Sequence, residues 1–410
     1  MVHAVGRRSV LGGAVSAAGI GRAFAQRAPA IRIGVLTELS GPNAAGTGRG
    51  TVAATRMAVE DFTRANPGLS VEVLEADHQT RPDLAVGVAR EWLDRADVDC
   101  ITSLNNSAVA LAVAGLVRER DKVALLTGPA SSDLTGKACS PNHVHWTYDT
   151  WSLGNSTGRA LVAEGGDTWF FIAADYTFGR LLAGDTAQFV AKAGGRVLGT
   201  AYTPFPETTD FSSFLLRAQA SGAKVIGLAN SGTNTINCVK QAAEFGLTAR
   251  GARLAALLML IGDVHALGLP AARGLALTEA FYWDMDEGTR GFARRFAPLA
   301  GGAMPNMVQA GDYSAPLHYL RAVHAVGAER AKAGGRAVVE AMKALPTDDP
   351  LFGPGSVRAD GRKLNPMHLF QVKAPEESRY PWDYYRLIRT IPAGEAFRPL
   401  AEGGCALVRT

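Results

Sequence analysis

The order of apolar and polar positions divides most of the chain into strands that alternate with helices. Short apolar runs rich in β-branched residues, such as IRIGVLT at 31–37, predict strands, whereas apolar residues three and four apart, as in 49–66, predict helices. The ten strands predicted in this way lie at 31–39, 70–76, 98–104, 122–127, 143–148, 168–174, 196–203, 224–229, 252–260 and 273–283. Such alternation indicates parallel sheets covered by helices on both faces.

The alternation runs twice, which predicts two units of the same kind in tandem. The first series of strands ends near residue 148, and the second series follows a helix predicted over 149–164. Further helices are predicted near 289–299 and 306–327, and the segment from 350 onward reads as short strands among Pro and Gly turns. No Ser/Gly-rich linker separates the units. The expected fold class is therefore α/β, with two doubly wound parallel sheets joined directly.

The first 25 residues differ from the rest and predict an export signal. Arg7 and Arg8 precede a mildly apolar run over 10–20, and the segment ends in Ala-Phe-Ala at 23–25. A basic start, a short apolar stretch and an A-x-A ending are typical of a cleaved secretory signal, and the paired arginines indicate the twin-arginine route. We therefore expect residues 1–25 to be removed and the mature protein to act in the periplasm.

Composition and charge mainly exclude some classes of binding partner. The chain has 410 residues, of which 47% are hydrophobic and 20% charged, as in ordinary globular proteins. Removing the signal takes away three arginines and no acid, so the formal net charge falls from +4 to +1. A nearly neutral protein gives no reason to expect a nucleic-acid partner or an acidic membrane surface. No second stretch of the sequence is long and apolar enough to span a bilayer.

Small polar residues follow several predicted strands, at the sheet edge where open α/β folds bind ligands. The loops are 39–50, 105–107, 128–133, 175–179 and 230–233, and they lead towards predicted helices. Helix N-termini present unpaired N–H groups and a partial positive charge. Taken singly, each loop is better explained as a helix cap. Taken together, they predict a cleft that holds an anionic or strongly polar group.

Motifs for catalysis, cofactors and metals are weak. GNSTG at 154–158 matches G-x-S-x-G but lies within a predicted helix rather than on a strand–turn–helix elbow. GTGRG at 46–50 lacks the spacing of a dinucleotide-binding loop. His143 and His145 have no third zinc ligand nearby in the sequence. We therefore expect a protein without catalytic activity, cofactor or metal.

Two features leave alternatives open at the level of the residues. Four cysteines, none in a C-x-x-C pair, allow three full disulfide connectivities in an oxidising compartment. The aromatic residues 281–283 end a predicted strand, where they either border a cleft or pack between the two units.

The chain resembles a known family of receptors. An export signal, two tandem α/β units, Ser-Gly-Pro at 40–42 and GPASSD at 128–133 are similar to periplasmic solute-binding proteins of ABC transporters, of the branched-chain amino-acid (Leu/Ile/Val) type. The likeness covers about 30–400. It implies a two-lobed type I periplasmic-binding fold, in which crossover strands join the lobes around a cleft that closes by hinge motion. The implied lobes are 27–147 with 282–350, and 148–281 with 351–410.

The resemblance also implies which residues contact the ligand. The loop Ala130-Ser131-Ser132 matches the family's grip on a ligand carboxylate, and we expect Ser132 to be its most important side chain. Together with Tyr282 from the aromatic cluster, the candidate ligand-binding residues are Asn106, Ser107, Ala130, Ser131, Ser132, Tyr176, Phe178, Ser231, Asp263 and Tyr282.

Departures from the family pattern widen the range of expected ligands. Phe178 stands where amino-acid receptors of this type carry a tyrosine, and the acid that pairs with the ligand ammonium falls on or near Met259. Asp263 is the acid that can replace it. The expected ligand is therefore a small carboxylate-bearing molecule: an amino acid, an aliphatic or aromatic organic acid, or an amide.

The resemblance implies the remaining properties. Cys139 and Cys405 form a disulfide, while Cys100 and Cys238 stay reduced. The protein is a monomeric receptor that delivers its ligand to the membrane permease and ATPase of an ABC importer. Two other functions stay open: a ligand sensor of the same fold that feeds a signalling partner, and an exported α/β hydrolase.

Overall fold

Two sheets frame the molecule in the computed structural model, which describes residues 1–2 and 30–408. Each sheet is built around five parallel strands in the same order, with the first strand between the second and the third. The prediction of two doubly wound α/β units in tandem is therefore confirmed. Residues 3–25 of the expected export signal lie outside the described residues.

The first unit begins with eight elements that alternate along the chain. They are β1 (Ile31–Thr37), α1 (Gly48–Ala65), β2 (Val71–Asp77), α2 (Pro82–Asp94), β3 (Cys100–Ser103), α3 (Ser107–Glu119), β4 (Val123–Leu126) and β5 (His143–His145). The strands pair in the parallel order β2-β1-β3-β4-β5. Strands β3 and β4 are buried at every position. Strand β4 reads as a continuous apolar run in the sequence, as expected for a strand of a parallel sheet that is buried on both faces.

The second unit repeats the pattern from residue 150 onward. Its elements are α4 (Thr150–Ala163), β6 (Thr168–Ala174), α5 (Thr177–Lys192), β7 (Arg196–Thr203), α6 (Ser212–Ala220), β8 (Val225–Ala229), α7 (Gly232–Glu244), β9 (Arg253–Ala256), α8 (Ile261–Leu267), α9 (Leu269–Ala272) and β10 (Ala276–Glu279). The strands pair in the parallel order β7-β6-β8-β9-β10. The strands predicted over 252–260 and 273–283 are shorter in the structure, where β9 ends at Ala256 and β10 at Glu279. Leu258 and Leu260, which follow β9, line the space between the lobes.

The remaining elements complete both units. They are α10 (Glu287–Phe296), α11 (Met307–Val326), α12 (Ala328–Ala333), α13 (Gly335–Ala344), β11 (Ser356–Val357), β12 (Lys363–Leu364), β13 (Met367–Val372), β14 (Tyr385–Ile391) and α14 (Ala393–Ala396). Helix α11 packs along α1 in the first lobe, where the Thr55 hydroxyl donates to the Asp312 carbonyl at 3.2 Å. Strands β13 and β14 extend the second sheet in antiparallel register.

The chain crosses between the lobes after β5 at Tyr148, after β10 at Ala280 and after β12 at Asn365, and the segment after α14 crosses once more. The first and third crossings are bonded to each other, since Arg362 donates from Nη1 to the Tyr148 carbonyl at 3.0 Å and Asn365 donates from Nδ2 to the Thr147 carbonyl at 3.4 Å. This arrangement brings the carboxyl ends of the two parallel sheets to face each other across one cleft.

The third crossing differs in position from the expected lobe boundary at 351. The hairpin of β11 and β12 lies beside the first sheet, because Arg362 forms a parallel bridge with His145. The end of the chain also returns to the first lobe, where Cys405 is bonded to Cys139. Residues 351–364 and the tail after α14 therefore pack with the first lobe.

Large apolar side chains fill the space between the sheets and their helices. Trp146, Trp169 and Phe171 are fully buried. Of the helices in 30–408, none is both long and apolar enough to cross a membrane.

Candidate ligand-binding site between the lobes

A cavity lies between the carboxyl ends of the two parallel sheets. Its empty space, including the open mouth, is about 500 Å³. Loops of both lobes and the crossing at Tyr148 enclose it. The lining residues are Asn43, Gly46, Thr47, Asn105, Ser107, Gly128, Ala130, Tyr148, Tyr176, Phe178, Ser231, Gly232, Leu258, Leu260, Asp263 and Val308.

Four helices begin at this cavity. Thr47, Tyr176 and Ser231 precede α1, α5 and α7, and Ser107 is the first residue of α3. In α1, α5 and α7 no side chain caps the first turn, and none of the four helices carries an acid there. Unpaired N–H groups and the positive ends of the helix dipoles therefore face the space between the lobes.

One carboxyl group faces the same space. Among the sixteen described lining residues, Asp263 is the only acid, and none is Lys, Arg or His. Its Oδ2 accepts the backbone N–H of Leu260 at 2.9 Å. Burial raises the pKa of the Asp263 carboxyl to about 6, and the bond from Leu260 opposes that rise. Asp263 is therefore charged at neutral pH and close to its titration point.

Aromatic side chains form the wall contributed by the second lobe. The Tyr176 ring stacks on Phe205, with ring centroids 4.6 Å apart, and lies beside Phe178. Phe178 is buried, which fixes its ring in place. Leu258 and Leu260 extend this apolar surface within the cavity.

The structure brings six of the ten candidate residues to the cavity lining: Ser107, Ala130, Tyr176, Phe178, Ser231 and Asp263. Two others support the lining from behind. The Asn106 side chain caps α3 by accepting the N–H groups of Ala108 and Val109. The N–H of Ser131 donates to the Ser107 hydroxyl at 3.2 Å.

Ser132 lies outside the lining, contrary to the expectation for its side chain. Its hydroxyl donates to Asp185 on α5 at 3.0 Å, and its N–H donates to Thr150 on α4 at 3.3 Å. The loop turns away from the cavity after Ala130 and enters a 3₁₀ turn at Ser132–Thr135. The Ser132 hydroxyl therefore joins the two lobes and does not face the cavity.

Tyr282 also lies outside the lining. Its ring packs against Phe370 and Tyr385 in the core of the second lobe, and its hydroxyl donates to the Trp382 carbonyl at 3.2 Å. None of the aromatic residues at 281–283 lines the cavity. Phe281 packs against Phe292 and Phe352, whereas Tyr282 packs in the second lobe rather than between the two lobes.

The comparisons with known proteins agree with this geometry. The family model of periplasmic binding proteins matches residues 30–378. The chain belongs to the periplasmic binding protein family. No curated protein matches it.

Solved structures cover almost the whole of this periplasmic binding protein. A periplasmic binding protein from Burkholderia mallei is 43% identical, with a TM-score of 0.88 over 93% of this chain and 99% of that one. A branched-chain amino acid ABC transporter periplasmic ligand-binding protein from Burkholderia xenovorans is 37% identical, with a TM-score of 0.81 over 92% and 99%. An ABC transporter solute-binding protein from R. palustris, in complex with 4-hydroxybenzoate, shares the fold at 21% identity, with a TM-score of 0.80 over 89% and 98%.

Sequence reasoning missed several lining residues of this periplasmic binding protein, although most of them lie in the predicted loops. Asn43 follows β1, and its N–H and side-chain amide both donate to the buried carboxyl of Glu38, at 2.9 and 3.1 Å. Tyr148 lies at the first crossing and donates to the Gly128 carbonyl at 2.7 Å. Val308 comes from α11, far along the chain, and no local signal marks it.

The four cysteines and the histidines of β5 in this periplasmic binding protein lie in environments typical of structural residues. Cys139 and Cys405 form a disulfide, while Cys100 and Cys238 are free and buried. His143 and His145 are buried on β5, and each Nε2 bonds a backbone carbonyl. Within the described ranges, no group of three or more His, Cys, Asp or Glu residues is arranged to hold a metal ion.

Proposed function

We propose that this protein is the periplasmic solute receptor of an ABC importer and that it captures a small carboxylate-bearing molecule between its lobes. The convergence of four helix N-termini on one cavity, with no acid in their first turns, carries the proposal. Oriented N–H groups stabilise a carboxylate without a cationic side chain. The relative from B. xenovorans, named as a branched-chain amino acid receptor, supports the same role.

The cavity has three surfaces of different chemistry, which restricts the class of ligand that it can bind. Ser107 and Ala130 of the first lobe are proposed to contact the carboxylate. Tyr176 and Phe178 offer an apolar wall for the body of the ligand, and Asp263 offers an acceptor for an N–H or O–H group. A carboxylic acid with an apolar body and a second, donating group satisfies all three surfaces, and an amino acid is one such molecule.

The proposal includes the location and the partners of the protein. Export through residues 1–25 places the mature protein in the periplasm, and the closed, ligand-bound form docks on the membrane permease and its ATPase. We propose that it acts as a monomer and without catalysis, because closure of two lobes on a ligand needs neither a second subunit nor a bond-breaking step.

A thermal-shift screen of the mature protein tests the proposed ligand class. We would compare matched pairs that differ at the carboxylate, such as L-leucine with L-leucinol and benzoate with benzyl alcohol. A ligand at 100 times its dissociation constant adds about 2.7 kcal/mol to the free energy of unfolding. We expect stabilisation by one or more carboxylates and none by their matched alcohols. Equal stabilisation by both members of every active pair contradicts a carboxylate site, and hydrolysis of a chromogenic ester supports the hydrolase alternative.

A further inference from the structure

Every backbone and side-chain polar group of Ser132 is bonded to a residue outside its own loop. The N–H donates to Thr150 and the hydroxyl donates to Asp185, both on helices of the second lobe. The carbonyl accepts a hydrogen bond from Nη2 of Arg398 at 2.9 Å. Because Ser132 lies only two residues after Ala130, these bonds fix the end of the loop that lines the cavity.

Arg398 belongs to a segment that connects the lobes a fourth time. Strand β14 ends at Ile391 in the second sheet, and α14 stays on the second lobe, where Glu395 accepts a bond from Asn155 on α4 at 2.7 Å. The next residues cross to the first lobe and reach Cys405, which is bonded to Cys139. We call residues 397–405 the C-terminal strap.

The C-terminal strap fits closely against its surroundings. The Phe397 ring lies under the buried guanidinium of Arg362, 4.6 Å from the ring centroid. The Arg398 carbonyl accepts a bond from Arg358 at 2.9 Å. A side chain at Gly136 would put its Cβ 2.5 Å from Nη2 of Arg398 and 2.8 Å from the Gly403 carbonyl oxygen. The turn after the cavity loop therefore has room for the strap only because residue 136 is glycine.

We propose that Arg398 is a positioning residue for the cavity loop 128–132 and that the C-terminal strap thereby controls how fast a bound ligand is released. Arg398 holds the Ser132 carbonyl, and the disulfide holds the strap that carries Arg398. Loss of either one leaves the end of the loop held to the second lobe only by the bonds of Ser132 to Thr150 and Asp185, so the lobes separate more readily around the ligand. The control of ligand release rests on the proposed receptor function, whereas the positioning of the loop by Arg398 does not.

Hydrogen exchange in the ligand-free protein tests the positioning role directly. We expect amides over 129–136 to exchange about tenfold faster in Arg398→Ala, since a bond to a charged group is lost. Arg398→Lys keeps a donor and restores part of the protection. Arg389→Ala is the matched control, because Arg389 is an exposed arginine on β14 whose side chain forms no hydrogen bond with a described residue. Unchanged exchange over 129–136 in Arg398→Ala overturns the proposal.

Ligand release tests the functional consequence, with L-leucine and benzoate as the probes. For a probe that binds, we expect Arg398→Ala to raise the dissociation rate about tenfold with little change in the association rate. The Cys139→Ser/Cys405→Ser pair should act in the same direction, and its combination with Arg398→Ala should be less than additive, because both act through the strap. A purely structural role would lower the unfolding temperature and leave the dissociation rate unchanged, and that result overturns the control of release. If neither probe binds the wild type, the receptor proposal fails for these acids, while the exchange measurement still decides the role of Arg398.

Discussion

The backbone N–H of Thr233 in the second lobe donates to the carbonyl oxygen of Pro42 in the first lobe, 3.0 Å away. This bond uses one of the N–H groups left free at the start of α7. It lies next to Gly232 and Asn43, both of which line the cavity. Contact between the lobes and formation of the cavity are therefore linked at one point.

Gly232→Ala should prevent the lobes from closing. Gly232 has a φ of +56°, and a Cβ there would lie 2.2 Å from the Pro42 carbonyl oxygen. We expect ligand affinity to fall at least tenfold, measured by calorimetry, and the ligand-dependent decrease of the radius of gyration to disappear.

The control for this substitution is Gly246→Ala. Gly246 has a similar φ of +65°, but a Cβ there meets no atom within 4 Å. Gly246→Ala therefore imposes the same backbone strain at a positive φ, without the clash between the lobes. Equal affinity losses in the two variants would show that backbone strain, and not blocked closure, explains the effect of Gly232→Ala.

Asp263→Asn should reveal whether the ligand carries an ammonium group. Because the pKa of Asp263 in the folded protein is about 6, its carboxyl is charged at pH 7.5 and mostly protonated at pH 5. An ammonium-bearing ligand should lose about tenfold or more in affinity at pH 7.5 in the variant, and its affinity should no longer depend on Asp263 titration. An acid without a donating group should bind the variant at least as tightly as the wild type. Unchanged affinities for both classes would remove Asp263 from the proposed site.

Lys363→Met should stabilise the protein. Lys363 is fully buried, its Nζ has no hydrogen-bond partner among the described residues, and burial lowers the pKa of the amine to about 7. The ammonium lies over the Phe352 ring at 4.3 Å, which compensates for only part of the desolvation. Replacing a buried charge with a well-packed apolar side chain gains roughly 1–4 kcal/mol.

The pH dependence of this gain has a definite sign. The unfolded amine titrates near 10.5 and the folded amine near 7. Through Lys363, the free energy of unfolding of the wild type therefore decreases as pH falls from about 10 to 7. Below pH 7 the contribution of Lys363 changes little. Urea unfolding at pH 6, 7.5 and 9 should show the largest gain for Lys363→Met at pH 6. A gain that grows with pH would contradict the assignment. Lys224→Met, at an exposed ion pair with Asp167, serves as the control.

The four cysteines should divide into two pairs by reactivity. In the native, unreduced protein, iodoacetamide should modify none of them, because Cys139 and Cys405 are bonded and the other two are buried. Burial raises the pKa of the Cys238 thiol to about 12 and that of Cys100 well above its usual value, so little thiolate forms. After unfolding without reductant, Cys100 and Cys238 alone should be modified. Mass spectrometry of the peptides decides this, and native labelling of Cys139 would contradict the bond.

Export should remove residues 1–25. Cleavage after Ala25 follows from the small-residue ending at 23–25. Intact mass of protein recovered from the periplasm measures this directly. A mature protein that still carries Arg7 and Arg8 would contradict the prediction.

The sequence by itself determined the alternation of the elements and the location of the loops that line the cavity. Apolar runs on β4 and β6 and polar helix starts at Ser107 and Ser231 are local patterns, so local rules recovered them. The position of Ser107, Ala130 and Ser231 in the cavity lining could be predicted as well, because the carboxyl ends of parallel strands meet at one edge of a sheet.

Only the tertiary structure decided which face of each loop is turned towards the cavity. Ser132 and Ala130 are two residues apart in a loop of small residues, and no pattern in the sequence distinguishes the one that lines the cavity from the one that joins the lobes. Val308 and Arg398 reach this region from more than 150 residues away, through the packing of α11 and the disulfide of the strap. Such contacts depend on how distant segments meet after folding, and short-range periodicity carries no information about them.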